Sequence, residues 1–160
     1  MYRYFLPLVV FVIFANNGCQ RSQFLSKTPL IQSIFIEEFT EKDLTSVLAH
    51  IQGNTLAQRH QILRTKEEKE GVYFMLYLNR KTNQIPSLGK VRVEVQFSQE
   101  PEPRQFDFKF KNISRGLREI GLGLTGADAL LFTKHKMVAW RVSLLNFQNR
   151  LIAQKSSYLW

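Results

Sequence analysis

A single cysteine, Cys19, stands in 160 residues, so no internal disulfide can brace the fold and an apolar core must hold it. No apolar run is long enough for a membrane-spanning helix, which needs about 20 residues to cross about 30 Å of hydrocarbon. The longest, Phe5 to Ala15, has eleven. The three histidines, His50, His60 and His135, show no HExxH or H-x-H spacing and have no second cysteine to join them, which excludes the usual four-ligand zinc sets. A G-x-S-x-G elbow is missing, and no acid follows Asp128. The acid pairs Glu37 and Glu38, Glu67 and Glu68, and Glu100 and Glu102 fall in charged turns or at a helix entry, where solvated surface is expected rather than two carboxylates flanking a cleft. These absences leave no catalytic residue, cofactor or metal ligand to nominate. The sequence predicts a protein that is not an enzyme.

Aromatic residues are plentiful, with thirteen Phe and five Tyr, and they favour strands. Net charge is +9, and its excess lies toward the C-terminus. From Arg115 to Trp160, seven bases stand against Glu119 and Asp128, a net of +5. Lys134, Lys136, Arg141 and Arg150 are the candidate patch for an anionic surface, since a positive field attracts nucleic acid, anionic lipid and anionic glycan alike. The compartment has to choose among them.

Residues 1–20, "MYRYFLPLVVFVIFANNGCQ", have a short head with Arg3, the apolar run, then small and polar residues, which is the layout of a secretory signal peptide. Gly18-Cys19 at the end of the run resembles the cleavage box of bacterial lipoproteins, in which the cysteine becomes the lipidated first residue of the mature chain. Asn16 and Asn17 stand where that family prefers Leu and a small residue, so cleavage by the ordinary signal peptidase and an uncleaved anchor both stay open. The resemblance covers the first 20 residues and implies a signal peptide over 1–18 and a lipid on Cys19. It further implies a bacterial envelope protein facing the periplasm, more at the outer than the inner membrane. Export removes nucleic acid from the expected partners and leaves the membrane, anionic lipid, cell-wall glycan and other envelope proteins. Residues 19–29 then read as a tether, closed by Pro29.

Residues 30–160 read as one β-rich domain. "IQSIFIEEF" (31–39) is a strand by composition, and Thr40 with Leu44, Val47, Leu48 and Ile51 predicts a helix over 41–52, stopped by Gly53. "RHQILRT" is a short strand candidate and "KEEKEG" a charged turn. Val72 to Leu78 is apolar throughout, as in a central strand covered on both faces. Val91, Val93, Val95 and Phe97 alternate with polar residues, as do Phe106, Phe108 and Phe110, and Val138, Trp140, Val142 and Leu144. The Phe row beside Lys109 and Lys111 superficially suits base stacking, but strict alternation assigns it to a core. "NFQN" turns the chain back into a final hairpin. The expectation is an antiparallel β-sandwich of about seven or eight strands with one short helix.

"GLGLTG" (121–126) fits G-x-G-x-x-G, which binds dinucleotides only after a strand, at a helix start, with an acid about 20 residues on. Here Leu122 and Leu124 carry the strand alternation through the glycines, and "ADALLFTK" leaves room for about two helical turns. The glycines therefore read as strand, serving a bulge or a close backbone approach in an edge strand, with "TGAD" as a turn. Finally, Tyr158 and Trp160 resemble the aromatic ending of outer-membrane β-barrel proteins, which implies a small barrel as an alternative. A secreted hydrolase with an unrecognised site is the other. The leading expectation is a lipid-anchored, non-catalytic binding or structural module.

Overall fold

The computed structural model describes residues 29–40, 60–110 and 116–160. Eight strands form there: β1 (Ile31–Phe39), β2 (His60–Arg64), β3 (Gly71–Leu78), β4 (Leu88–Phe97), β5 (Arg104–Lys109), β6 (Glu119–Thr125), β7 (Met137–Asn146) and β8 (Leu151–Ser156). One short helix, α1 (Leu130–Lys134), and two 3-10 turns, Thr82–Gln84 and Gly126–Asp128, join them. The helix expected over 41–52 lies outside the described residues, so α1 is a different segment. The strands divide into two sheets of four, ordered β1-β3-β6-β2 and β5-β4-β7-β8. No ladder joins one sheet to the other, so the described strands close no barrel and that alternative is overturned.

Alternation explains which residues meet between the sheets. Val91, Val93 and Val95 of β4 and Val142 and Leu144 of β7 are fully buried, facing Phe74, Leu76, Ile120, Leu122 and Leu124 from the first sheet. Phe108 is buried and Phe106 and Phe110 pack beside it, so the Phe row belongs to the core. β3 lies between two strands, and its second face is covered as well. Tyr73 is 1% exposed, with its ring edge-on to Phe39 at 5.2 Å. β7 departs from strict alternation near its start. A register shift opposite Gln96 and Phe97 leaves Val138 on the solvent side and turns Met137 to the core.

Two expectations about the first sheet are corrected. β6 is an inner strand rather than an edge, and it runs parallel to β2. Both follow from one insertion. The turn over 65–70 makes β2 and β3 antiparallel, and β6 enters between them. It can oppose only one neighbour, and it opposes β3.

The sandwich has two distinct ends. At one, Asn79 N–H donates to Leu30 O (2.9 Å), Leu78 N–H to Arg118 O (2.8 Å), and Phe147 N–H to Ser87 O (3.2 Å). The side chain of Asn79 also donates to Pro29 O. This end therefore gathers Pro29, where the described chain begins, the 79–87 connection, Arg118 and the tip of the β7–β8 hairpin. At the other end, Gly71 opposes both Phe39 and Thr125, and Ser98 N–H donates to Lys136 O (3.0 Å). The acidic turns lie there.

Candidate functional site

The four bases of the expected anionic patch do not meet. Lys134 and Lys136 are exposed at the acidic end, either side of His135, whose ring packs by Phe97 and contacts Gln99 Oε1 at 3.2 Å. Arg141 lies within β7 and is already committed. Its Nε and an Nη donate to both carboxylate oxygens of Glu94 at 2.7 Å, and its guanidinium stacks 4.5 Å from the Trp160 ring centre. Arg150 is exposed at the hairpin tip. Ten strand residues separate that tip from Lys136, a span of about 30 Å. Sequence proximity grouped these side chains, and a strand running the length of the sandwich separates them. Cys19 lies outside the described residues.

The glycine segment is strand up to Thr125, as read. Gly121 and Gly123 sit in register between β3 and β2 with no bulge, and their backbone groups belong to the ladders on both sides. A pyrophosphate would find no row of free amides there. Close approach is the role the structure shows. A Cβ on Gly123 would come within 2.5 Å of the Tyr73 ring, which lies across it. The Tyr73 hydroxyl accepts from Arg64 Nε (3.0 Å) and donates to Lys69 O. Gly126 takes φ +59°, and the expected turn is the 3-10 turn Gly126–Asp128.

At this acidic end a cleft of about 510 Å³ opens between β1, the 65–70 turn and α1. Val72, Ala129 and Leu130 supply apolar wall, while Glu38, Glu68 and Glu70 line it with carboxylates. The Glu68 carboxylate rests so near Gly126 that a Cβ there would lie 2.9 Å from it. The β1–β3 pairing and the turn thus bring three acids from separate sequence positions to the lining of one cleft. Among the described residues no three His, Cys, Asp or Glu side chains form a metal-ligating group.

The Pro29 end has the opposite character. Arg80, Lys81, Arg118 and Arg150 are exposed, and Glu119 is the acid beside them among the described residues. Two large apolar side chains stand out at the hairpin tip: Phe147 is 72% exposed and Leu151 is 58% exposed. The tip itself is tightly made. Asn146 Oδ1 accepts from the amides of Gln148 (2.9 Å) and Arg150 (2.8 Å), and Asn149 closes the turn at φ +61°. A fixed backbone therefore holds the Phe147 ring in solvent.

Across the outer face of the second sheet, charged partners stand directly opposite one another. Arg92 opposes Asp107, and Glu94 opposes Arg141. Asp107 accepts from Arg92 Nε (2.8 Å) and Lys90 Nζ (2.6 Å). The Arg92 guanidinium holds the Asp107 carboxyl below its ordinary value of 3.8, down to about 2, against the opposing effect of partial burial and with further help from Lys90. Trp160 stacks on this ladder through Arg141, while Tyr158 stands fully exposed.

No protein-family model, curated protein or solved structure matches the chain. The site is therefore argued from its own chemistry. Sequence reasoning assigned Glu38 and Glu68 to solvated surface; they are exposed, but with Glu70 they line a cleft, which no spacing from Glu38 to Glu70 announces. Phe147 and Leu151, which it passed over, did carry a signal: bulky apolar residues bracket the polar turn "QNR", where turn chemistry wants none.

Proposed function

We propose that the chain is a lipid-anchored module of a bacterial envelope, binding or structural in role, with Cys19 as the lipidated residue. The observation that carries this reading is the sequence of residues 1–20, an apolar run of signal-peptide length over Phe5 to Ala15 followed, after two asparagines, by Gly18 and the chain's single cysteine. The fold is consistent with such a role. A two-sheet sandwich filled by Val, Leu, Ile and Phe presents its turns at two ends, one of which receives the N-terminal segment at Pro29. Envelope modules bind through such turns, because loops on a rigid scaffold vary without disturbing the core.

Metabolic labelling with a fatty-acid probe tests the anchor. The wild-type chain takes up label and sediments with membranes, while Cys19→Ser takes up none and is released, its fold unchanged by far-UV dichroism. A wild-type chain that takes up no label and stays soluble after cell disruption would remove the anchor.

A secreted hydrolase is the second reading, favoured by the cleft that Glu38, Glu68 and Glu70 line together with the apolar Val72 and Leu130. Turnover of a glycoside or ester by the wild type, lost in Glu68→Gln, would replace the first reading with this one.

A further inference from the structure

We propose that the Pro29 end of the sandwich docks on an anionic phospholipid bilayer, with Phe147 entering the headgroup interface and Arg80, Lys81, Arg118 and Arg150 meeting lipid phosphates. The inference rests on the reading of the chain as a membrane-anchored protein, and it adds which surface faces the membrane and through which residues.

Three independent observations converge on this end. The first is apolar. Phe147 and Leu151 are the bulky residues of an otherwise polar turn, both more than half exposed. Phe147 N–H is bonded to Ser87 O and the turn is locked by Asn146, so ordering the loop costs little on binding. An aromatic ring on a rigid tip suits the bilayer interface, where its apolar body leaves water. The second is charge. The four exposed guanidinium and ammonium groups share this end with one acid among the described residues, Glu119, whereas at the opposite end the acids, Glu38 and Asp128 included, outnumber Lys66, Lys69, Arg104, Lys134 and Lys136. A negatively charged leaflet therefore orients the domain with this end toward it.

The third observation is chain connectivity. Pro29 joins the fold at this same end, tied to Asn79. Nine residues lie between it and Cys19, so the two are at most about 35 Å apart even if the chain is fully extended. A lipid on Cys19 therefore holds the Pro29 end close to the bilayer and makes its docking effectively intramolecular. The acidic end, one strand length further away, stays free to face the aqueous side.

Cys19 being the only cysteine, the full chain carrying Cys19→Ser accepts a single engineered thiol. Gln148→Cys places a polarity-sensitive fluorophore at the hairpin tip, and Ser98→Cys places one at the far end. Vesicles of phosphatidylcholine with 30% phosphatidylglycerol are the probe surface, with pure phosphatidylcholine as the neutral arm, the fraction chosen so that about a third of headgroups are anionic. The tip probe shifts to the blue on anionic vesicles and the Ser98→Cys probe does not. Phe147→Ser raises the lipid concentration at half-response by at least about tenfold, the scale of one aromatic side chain leaving water. Replacing Arg80, Lys81, Arg118 and Arg150 with Gln removes the preference for anionic over neutral vesicles, while Lys134→Gln with Lys136→Gln leaves it unchanged. A silent tip probe, or equal shifts at both positions, would overturn the proposal. So would a response reproduced by soluble acidic polysaccharide and indifferent to Phe147→Ser, which would mark this end as a glycan site. The outcome is separable from that of the anchor. Absent fatty-acid labelling with an intact tip response removes the lipid alone, and labelling with a silent tip removes the docking alone.

Discussion

At the scale of single residues, the chain shows how a missing side chain can matter more than a present one. Tyr73 and Gly123 face each other across β3 and β6, and the ring occupies the space a Cβ would fill. Gly123→Ala is therefore expected to destabilise the fold by about 1–3 kcal/mol, because the added methyl forces Tyr73 off its two hydrogen bonds or bends the ladder. Gly121→Ala meets instead the flexible sulfur of Met75 at 3.3 Å and Ile62 at 3.4 Å, so its cost should be smaller. Urea unfolding of the two variants checks the order, and equal midpoints would contradict it. That these glycines belong to a strand was legible from Leu122 and Leu124. Which of the two lies under an aromatic ring was not, since the partner stands fifty residues earlier in the chain.

At the scale of elements, the outer face of the second sheet couples strand register to charge. The pairing of β4 with β5 puts Asp107 between Arg92 and Lys90, and the pairing of β4 with β7 puts Glu94 against Arg141. A slip of one residue would break every pair and bury the polar face. Because the Asp107 carboxyl titrates near 2 when folded and near 3.8 otherwise, its contribution is fully present above about pH 4 and fades as pH falls toward 2. Asp107 lies on the solvent face, so screening keeps the effect below about 1 kcal/mol. Asp107→Asn should lower the urea midpoint at pH 5, and the gap to the wild type should shrink steadily as pH falls through 2. A gap as wide at pH 2 as at pH 5 would show that packing, not charge, is lost. The alternation of β4, β5 and β7 was readable in advance. The exception, Met137 for Val138, comes from a register shift fixed by the partner strand, and no pattern within β7 announces it.

At the scale of the whole molecule, opposite ends carry opposite characters. The net positive charge visible in composition does not cover the domain evenly. The acidic turns gather beside the cleft, and the Pro29 end collects bases from the 79–87 connection, from Arg118 and from the hairpin tip. Composition and alternation by themselves determined a β-sandwich, because burial period is a local property of residues and their neighbours. Tertiary structure alone decided that β6 enters between β2 and β3, that the four C-terminal bases part company, and that Glu38, Glu68 and Glu70 line one cleft. Each of these depends on which distant strands pair, a choice set by the packing of two faces across one core and encoded in no single stretch of the chain.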